Sequence, residues 1–436
     1  MQAVIMAGGK GTRLAEITKN EIPKPMVPLA GKPLLEWQIE VLKENGIFDI
    51  CMVIGYLGTV IKQYFGTGER FGVSIFYVEE EKPMGTAGAL YYIKEWLKEQ
   101  QFLLVFGDIL FQIDLKRMLQ YHLECGAEAT VFAHPNSHPY DSDILELDQD
   151  NRVIGFQWKG EKRTGWYHNC VNAGVYILDA IVCRKITYPQ KMDLEKDVLA
   201  KKLLGRKKLF AYRSPEYSKD VGTVERIRAA EEEVNKELPF QKCLTRKQRC
   251  IFLDRDGTIN RYHGLVYREK DFILEEGVEK ALALLNRSAW LGIVVTNQPV
   301  VARGLCSIEE VDQIHKKMET QLGEKGVYVD GVKFCPHHPD RGYPEENPTY
   351  KIDCNCRKPK IGLITQSAEK YNIDLSASWI IGDSTVDIQT GKNAGMKTAL
   401  VRTGMAGNDG KYKVEPDLVG NTLFEIVKKI IEGGTE

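Results

Sequence analysis

The sequence predicts an α/β protein built from two doubly wound domains with mostly parallel sheets. Three observations predict this architecture: a length of 436 residues, strand-like apolar runs that alternate with helix-period segments, and one break in that alternation. The length exceeds what one hydrophobic core usually organises, so two or three domains are expected. The alternation is typical of βαβ units, in which helices cover both faces of a parallel sheet.

The first half of the chain carries five predicted strands and three predicted helices. Strands are predicted at 3–7, 50–55, 74–78, 102–106 and 129–133, and helices at 34–45, 87–98 and 224–237. The alternation stops in 238–248, which contains a proline and basic and polar residues but has no periodic apolar face. We therefore predict a first domain at 1–237, a linker at 238–248 and a second domain at 249–436.

In the second domain the alternation resumes. Strands are predicted at 250–253, 291–296, 379–382 and 398–401, and helices at 278–286 and 308–322. This repeat of the βαβ pattern predicts a second doubly wound sheet.

Composition excludes several functional classes. A net charge of −1 with mixed signs argues against nucleic-acid binding and against a basic membrane-binding surface. The sequence has no apolar run near the roughly 18 residues of a membrane-spanning helix. The segment 1–14 lacks a basic, cleavable leader pattern, so we expect a cytoplasmic protein. The ten cysteines are therefore not expected to form a disulfide framework.

A glycine-rich loop directly follows the first predicted strand. Glycines let backbone N–H groups approach an anion, and basic side chains add positive charge. Neither the dinucleotide-binding fingerprint nor the P-loop pattern fits. A lysine held between two prolines lies a short distance along the chain and is expected near the same phosphates. The residues concerned are Gly8, Gly9, Gly11, Thr12, Arg13 and Lys24.

The long pattern MAGGKGTRL…PKPMVPLAGKP resembles the sugar-phosphate nucleotidyltransferases, and the resemblance extends over residues 1 to about 235. It implies a Rossmann-like fold and transfer of a nucleotidyl group from a nucleoside triphosphate to a sugar 1-phosphate, with release of pyrophosphate. It further implies that Arg13 acts on the leaving pyrophosphate and Lys24 on the attacking phosphate. Asp108 and Asp220 match the family's Mg²⁺ ligands, although Asp108 alone is equally compatible with a strand-end cap.

The same resemblance implies base and sugar contacts. Gly85 and Thr86 match the base-recognition segment, whose form favours GTP. Asn172, Gly174 and Glu195 match sugar-binding positions, although Asn172 alone could be an ordinary turn residue. Two departures fall in the sugar half of the site: relatives often carry an acid where Gln112 stands, and a proline where Arg163 stands.

Two carboxylates end the apolar run 251–253 of the second domain. Asp254 and Asp256 are at i and i+2, so both side chains can face one site. Two like charges this close favour a divalent cation, which leaves one carboxylate to attack phosphorus and the other to transfer a proton. Alone, the pair is equally compatible with a solvated turn.

Thr296 and Asp383 end predicted strands, and Lys358 follows a basic neighbour. Together with Asp254 and Asp256, these residues resemble the motifs of the haloacid-dehalogenase superfamily, and the resemblance extends over residues 249 to about 430. The resemblance implies that Asp254 is the nucleophile and Asp256 the general acid and base. It places Mg²⁺ on Asp254, Asp383 and the backbone carbonyl of Asp256, and the phosphoryl oxygens on Thr296 and Lys358. For Asp387, one turn further on, we favour a simple helix N-terminal acid.

Three thiols and an imidazole lie in two short clusters, CPHH at 335–338 and CNC at 354–356. These donors suit closed, structural tetrahedral zinc; the alternative is free thiols with a surface histidine. The pattern CPHHP with CxCRKP resembles heptose bisphosphate phosphatases and the related histidinol phosphatases. It implies zinc on Cys335, His337, Cys354 and Cys356, and substrate contacts at Asn297, Arg303 and Arg357. Pro299 and Val300 depart from the family's serine and glycine.

Together the two resemblances imply sequential chemistry. Removal of the 7-phosphate from D-glycero-D-manno-heptose 1,7-bisphosphate leaves a sugar 1-phosphate, which a guanylyltransferase could convert to GDP-heptose. One alternative keeps both reactions but uses another sugar, such as mannose 1-phosphate. Another makes the first domain a non-catalytic scaffold, although the retained charged residues argue against it. The expected partners are small-molecule substrates, and a homo-oligomer remains open.

Overall fold

The computed structural model describes residues 1–9, 14, 18–19 and 21–433. The chain forms two compact units. The first comprises Met1–His134, Asp143–Trp158 and Cys170–Cys243; the second comprises Pro135–Ser142, Lys159–Asn169 and Leu244–Glu436. None of the helices in the described part of the chain is long and apolar enough to cross a membrane.

The first unit is built on a nine-stranded sheet. Its central strands follow the order β5-β4-β1-β6, all parallel, and β11 continues the sheet antiparallel to β6. The strands of this unit are Gln2–Met6 (β1), Pro28–Leu29 (β2), Lys32–Pro33 (β3), Asp49–Ile54 (β4), Ser74–Glu79 (β5), Gln101–Phe106 (β6), Ile109–Gln112 (β7), Ala129–His134 (β8), Ile144–Leu147 (β9), Val153–Gln157 (β10), Val171–Asp179 (β11), Leu209–Arg213 (β12) and Tyr217–Asp220 (β13). Strands β1, β4 and β6 are almost fully buried because both sheet faces are covered there, which explains their continuous apolar sequences, whereas the edge strand β5 is partly exposed.

Of the three helices predicted in the first half, those at 34–45 and 224–237 are confirmed and the one at 87–98 is not, and the structure adds helices that the sequence did not predict, one of them, Leu238–Gln241, in the predicted linker. They are Leu34–Glu44 (α1), Gly58–Phe65 (α2), Gly85–Gly88 (α3), Leu90–Ile93 (α4), Leu115–Glu124 (α5), Ile181–Arg184 (α6), Val224–Asn235 (α7), Leu238–Gln241 (α8) and the π-helix Leu194–Leu203. In place of one helix at 87–98 there are the two short helices α3 and α4. The first of these two helices is held to a neighbouring segment, since the Ala87 N–H donates to the Met192 carbonyl at 3.0 Å.

The second unit is built on a six-stranded, entirely parallel sheet of order β16-β15-β14-β17-β18-β19. Its strands are Arg249–Leu253 (β14), Trp290–Asn297 (β15), Gly331–Cys335 (β16), Trp379–Gly382 (β17), Lys397–Val401 (β18) and Leu418–Gly420 (β19), and its helices are Val278–Asn286 (α9), Ile308–Glu324 (α10), Gly362–Tyr371 (α11), Thr385–Asn393 (α12) and Leu423–Gly433 (α13). Numbered within the unit, the order is that of a doubly wound sheet, so the predicted fold class is confirmed.

Both sheets reverse their direction of winding at their first strand. In the first unit the reversal lies between β1 and β6, and in the second between β14 and β17. Ligands of open parallel sheets bind beyond the carboxyl ends of the strands at such a point. Ligand sites are therefore expected at the residues that follow these four strands.

Candidate active sites

In the second unit, three acids and a lysine meet beyond the ends of β14 and β17. Carboxylate oxygens of Asp254, Asp383 and Asp387 lie within 4.8 Å of one another. The Lys358 ammonium lies 2.8 Å from Asp254 Oδ1 and 2.5 Å from Asp387 Oδ1. Lys358 is almost fully buried, so its charge and those of the acids balance one another in a poorly solvated space.

Burial is the largest single influence on the pKa values of Asp254, Asp383 and Lys358. It raises the pKa of Asp254 to about 6, against the opposing charge of Lys358. It also raises the pKa of Asp383 to about 8, and the charge of Asp254 adds to that effect. For Lys358, burial lowers the pKa, but Asp254 and Asp387 outweigh burial and the net pKa is raised. Three acids against one fixed ammonium leave negative charge that a divalent cation would neutralise.

Gly257 leaves the space that the Asp383 carboxylate occupies. The glycine has a φ of +81°, and a Cβ there would lie 2.2 Å from Asp383 Oδ2. That oxygen also accepts a 2.7 Å hydrogen bond from the Met405 N–H. Glycine is required at 257 both by the left-handed backbone and by the close approach of the carboxylate.

Asp387 has two roles in the structure. It forms a capping box with Ser384 at the start of α12, as the helix-terminal interpretation predicted. Its other oxygen, Oδ1, binds Lys358, and the residue is fully buried. The helix-terminal interpretation is therefore right but incomplete, because the sequence does not reveal the second contact.

The Asp256 carboxylate has different hydrogen-bond partners from the Asp254 carboxylate. Its oxygens accept hydrogen bonds from Arg255 and from Gln298 Nε2, the latter at 2.8 Å. Gln298 Nε2 also donates to Thr296 Oγ1 at 2.9 Å. Gln298 thus links the predicted general acid to the predicted phosphoryl-binding hydroxyl.

Asn297 holds the Lys358 backbone. Its Nδ2 donates to the Lys358 carbonyl at 3.0 Å, and its Oδ1 accepts from the Lys358 N–H at 2.9 Å. This double hydrogen bond fixes the loop that carries the ammonium. The residue was predicted as a substrate contact, and in this structure its amide binds the neighbouring loop.

Cys335, His337, Cys354 and Cys356 form one compact group. Their sulfurs are 3.1 to 3.5 Å apart, and His337 Nδ1 lies 3.3 Å from Cys356 Sγ. Tetrahedral zinc with Zn–S bonds of about 2.3 Å would place two sulfurs about 3.8 Å apart, so the donor set fits that ion with a small adjustment. His338 is not in this group.

Positive charge collects beside these four donors. Arg357 NH1 donates to the His337 carbonyl at 3.1 Å. The Arg303 guanidinium lies over the Tyr343 ring, 4.5 Å from its centroid. Burial lowers the pKa of Arg357, and the charge of Arg303 lowers it further.

In the first unit, the turn after β6 lies against the end of β1. The Gly107 N–H donates to the Met6 carbonyl at 2.9 Å. From α1, the buried Gln38 amide donates to the Phe106 carbonyl at 2.9 Å and the Ile109 carbonyl at 2.7 Å. These bonds fix the turn that carries Asp108 next to the carboxyl end of β1.

Lys24 bridges the two predicted metal acids. Its ammonium forms an ion pair with Asp108 and lies 3.9 Å from Asp220 Oδ1. Arg226 NH1 donates to Asp220 Oδ2 at 2.6 Å. The side chains of Asp108 and Asp220 remain 29% and 35% exposed, so both acids are open to a ligand.

The predicted base-recognition segment is held by hydrogen bonds to residues 192–194. A Cβ on Gly85, which has a φ of +76°, would lie 2.2 Å from the Met192 carbonyl oxygen. Thr86 Oγ1 accepts a 2.7 Å bond from the Leu194 N–H at the start of the π-helix. The same helix carries Glu195, so base and sugar positions share one support.

The sugar positions Asn172 and Glu195 are joined through Tyr176. The Tyr176 hydroxyl donates to Glu195 Oε1 at 2.7 Å and accepts from Asn172 Nδ2 at 2.9 Å. Asn172 Oδ1 accepts from the Gly174 N–H at 3.2 Å. Burial raises the pKa of Glu195 to about 7, while the bond from Tyr176 lowers it.

The two departures from the family pattern have local explanations. Gln112 is buried and donates to Glu44 at 2.8 Å. Arg163, within the second unit, donates to the carbonyls of Pro139, at 2.7 Å, and Ser142. Gly11, Thr12 and Arg13 lie outside the described residues, so their predicted phosphate contacts stay predictions.

Sequence reasoning missed Arg255, Gln298, Tyr176, Gln38 and Arg226. Arg255 stands between the two predicted catalytic acids, and Gln298 lies two residues after Thr296, which is a signal that could have been used. The other three offered no comparable signal. Their partners lie on other elements, and a single sequence does not show those contacts.

Comparisons with known proteins agree with this two-part organisation. A family model for nucleotidyl transferases matches residues 2–237, and a model described as HAD-hydrolase-like matches residues 355–426.

Three relatives match separate halves of the chain. A D-glycero-beta-D-manno-heptose-1,7-bisphosphate 7-phosphatase of Haemophilus ducreyi is 42% identical over 41% of this chain and 97% of its own length. A D-glycero-alpha-D-manno-heptose 1-phosphate guanylyltransferase of Aneurinibacillus thermoaerophilus is 32% identical over 54% of this chain and 98% of its own. A D-glycero-alpha-D-manno-heptose-1,7-bisphosphate 7-phosphatase of Burkholderia mallei is 37% identical over 36% of this chain and 80% of its own.

Proposed function

We propose that this chain, which belongs to the nucleotidyl transferase family and carries a HAD-like phosphatase in the same polypeptide, performs two consecutive steps of heptose activation. The phosphatase removes the 7-phosphate of D-glycero-D-manno-heptose 1,7-bisphosphate. The transferase joins GMP from GTP to the resulting 1-phosphate, giving GDP-heptose and pyrophosphate. The observation that carries the proposal is the near-complete coverage of a relative of each activity by one half of the chain.

In the phosphatase, Asp254 attacks phosphorus and the bond to the leaving oxygen breaks. Asp256 supplies the proton to that oxygen, and it then takes a proton from the water that hydrolyses the aspartyl-phosphate. Lys358 and Thr296 hold the phosphoryl oxygens. The contact between Lys358 and Asp254 supports these roles, because it places the cation beside the attacking oxygen.

The acids of both units suit magnesium, which would neutralise charge on the transferring phosphoryl or nucleotidyl group. Asp254 and Asp383 would hold it in the phosphatase, with the backbone carbonyl of Asp256, and Asp108 and Asp220 in the transferase. Carboxylate oxygens are the ligands this hard cation prefers, and the geometry of the acids supports the assignment.

Zinc is proposed at Cys335, His337, Cys354 and Cys356. Three sulfurs and a nitrogen complete a tetrahedron, so the site would be structural. Its position supports a role in ordering Arg357 and Lys358, which directly follow the last ligand.

Arg303 and Arg357 would bind the phosphate that the phosphatase leaves in place. Arg357 donates to the His337 carbonyl, and the charge of Arg303 lowers the pKa of Arg357. A bisphosphate needs positive charge at both ends, and these arginines would supply it in addition to Lys358.

In the transferase, Gly8, Gly9, Gly11 and Thr12 would bind the triphosphate through backbone N–H groups. Lys24 and Arg13 would neutralise the attacking phosphate and the leaving pyrophosphate. Gly85 and Thr86 would face the base, and Asn172, Gly174 and Glu195 the sugar. The position of Lys24 between the two acids supports this arrangement.

The product of the phosphatase must be the substrate of the transferase, so both reactions must use the same anomer of the heptose. The guanylyltransferase relative is named for the α-anomer, whereas the phosphatase relatives are named for both anomers. A product of the wrong anomer could not enter the second reaction. We therefore favour the α-anomer for both steps.

The test is turnover of the purified protein with each anomer of the bisphosphate, Mg²⁺ and one nucleoside triphosphate at a time. Phosphate and GDP-heptose should form from the α-anomer with GTP. Phosphate without any sugar nucleotide would overturn the transferase half, and turnover of mannose 1-phosphate in preference to heptose 1-phosphate would overturn the sugar. The cytoplasmic location and a homo-oligomeric state stay predictions from the sequence.

A further inference from the structure

Arg255 is a buried cation that the phosphatase mechanism does not use. Its side chain has no exposed surface, although it stands in the loop between the two catalytic acids. Its Nε and NH2 donate to Asp256 Oδ1 at 3.1 and 2.9 Å, and NH2 also donates to Oδ2 at 3.0 Å. A planar guanidinium bound in this way restricts the rotation of the carboxylate.

His315 contacts Arg255 through NH1, the guanidinium nitrogen that does not bind Asp256. It lies on α10, is almost fully buried, and its Nε2 is 3.2 Å from Arg255 NH1. Burial lowers the pKa of His315 to about 3, with Arg255 contributing, so Nε2 is an acceptor. The His315 ring also packs edge-on against Phe334 of β16, at 5.2 Å between centroids, which limits where the guanidinium can move.

Gln298 completes the set of donors around Asp256. Its Nε2 donates to Asp256 Oδ2 while also reaching Thr296 Oγ1. Three nitrogen atoms thus make four contacts with the carboxyl group, and the NH2 contact is shared between its two oxygens, so one of the roughly four acceptor positions is left for a proton. The side chain remains 21% exposed, so part of the carboxyl group is open to a ligand.

We propose that Arg255, supported by His315, is a positioning residue that fixes the Asp256 carboxyl group for proton transfer to the leaving oxygen. The inference rests on the phosphatase reaction proposed above. In that step the bond from Asp254 to phosphorus forms, the bond from phosphorus to the leaving oxygen breaks, and the proton of Asp256 moves to that oxygen. A misplaced Asp256 leaves the nucleophile intact but slows departure of a basic alkoxide.

The competing explanation is that Asp256 merely neutralises a buried structural arginine. The two explanations differ in their dependence on the leaving group. A sugar alkoxide needs a proton to leave, whereas p-nitrophenolate leaves without one. A positioning defect should therefore affect the sugar phosphate much more than the aryl phosphate, while a folding defect affects both equally.

The experiment measures kcat/KM of the full chain for heptose 1,7-bisphosphate and for p-nitrophenyl phosphate. The ratio kcat/KM reports steps up to departure of the leaving group, so slow hydrolysis of the aspartyl-phosphate does not obscure it. The Arg255→Lys variant is expected to lose ~100-fold with the bisphosphate and less than about 10-fold with the aryl phosphate, since general acid catalysis contributes about 10²–10⁴-fold. Asp256→Asn should show the same pattern more strongly.

Variants of His315 test the supporting contact. His315→Gln retains an acceptor and should stay within about threefold of wild type, whereas His315→Leu should reproduce part of the Arg255→Lys pattern. Arg249→Lys is the control, because this arginine lies at the opposite end of β14, over the Trp290 ring. It should leave both rates unchanged.

Equal losses on the two substrates in Arg255→Lys, or no loss on either, would overturn the positioning role. Failure of the proposed phosphatase activity is a different result, because the wild-type protein would then hydrolyse neither substrate. If Arg255→Lys folds poorly, the His315→Gln and His315→Leu pair decides the question, since the two differ at the acceptor.

Discussion

The two sites lie at the same topological position of their sheets but handle charge differently. In the second unit, Lys358, Asp383 and Asp387 are almost fully buried and the side chain of Asp254, the proposed nucleophile, is 13% exposed, whereas the acids at the first site are about one third exposed. Covalent attack requires a nucleophile held away from water. Transfer between two phosphates mainly requires positioned charge, and that site must admit a whole nucleotide.

The comparison also shows two ways to place a charged group. Asp254, Lys358 and Asp387 constrain one another through mutual ion pairs. Asp108 also forms an ion pair, with Lys24, and its turn is fixed in addition through hydrogen bonds of Gln38 and Gly107. We expect substitutions of the buried charges in the second unit to disturb their neighbours more than substitutions at the more exposed first site.

The largest expected effect is loss of the nucleophile. Asp254→Asn should lower phosphatase turnover by ~10⁴-fold or more, because no aspartyl-phosphate can form. GDP-heptose synthesis from added heptose 1-phosphate should be unchanged. Parallel assays of released phosphate and of pyrophosphate measure both, and retained phosphatase activity would exclude Asp254 as the nucleophile.

Asp108→Asn should impair the transferase and leave the phosphatase unchanged. We expect transferase kcat to fall by ~10²–10³-fold, since a charge that stabilises the transition state is removed. Phosphate release from the bisphosphate should stay at the wild-type rate, which makes this variant and Asp254→Asn controls for one another. Wild-type pyrophosphate release by Asp108→Asn would contradict its proposed catalytic role.

Removal of zinc should affect the phosphatase alone. Cys354→Ser should abolish bound zinc and lower phosphatase kcat/KM by about 10–100-fold, because the loop that carries Arg357 and Lys358 loses its anchor. Metal analysis and both activity assays measure the outcome. Cys306→Ser, a partly buried thiol of the same unit outside the cluster, should retain metal and activity; a zinc content unaffected by Cys354→Ser would contradict the ligand set.

The smallest effect concerns the pH dependence of sugar binding. Burial raises the pKa of Glu195 to about 7, so the carboxylate that accepts sugar hydroxyls is lost as pH falls through that value. The KM for heptose 1-phosphate should rise as pH falls below about 7, by up to about tenfold per pH unit. Steady-state kinetics between about pH 5.5 and about pH 8.5 would measure it.

Tyr176→Phe tests whether Glu195 is the group whose ionisation sets the pH dependence of KM. The Tyr176 hydroxyl donates to Glu195 and lowers its pKa, so its removal should move the pH midpoint of KM upward. Glu195→Gln should bind more weakly at high pH but lose the pH dependence. A midpoint that stays in place in Tyr176→Phe would mean that another group titrates.

The same ionisation has a stability consequence of defined sign. The pKa of Glu195 is higher in the folded chain than the ordinary glutamate value of about 4.3. The folded state therefore holds the proton more tightly, and stability decreases as pH rises from about 4 to about 7. Glu195→Gln should reduce that decrease, as measured by thermal unfolding across this range.

Most of the fold could be predicted because the strands are simple apolar runs. Strands β14 and β17 end where the sequence turns from apolar residues to Asp254 and Asp383. The single helix predicted at 87–98 was wrong: two short helices stand there, and hydrogen bonds hold the first of them to residues 192–194. Such a contact joins residues about a hundred positions apart, which periodicity does not register.

By itself the sequence determined the two-domain α/β architecture and the reaction classes. Motifs at the ends of parallel strands must converge at one sheet edge, so their order in the chain was sufficient. Only the tertiary structure decided how Asp256, Asp387 and Glu195 are bound. A side chain in a loop can point in several directions, and its direction is set by partners such as Arg255, Lys358 and Tyr176, whose burial and orientation exist only once the chain is folded.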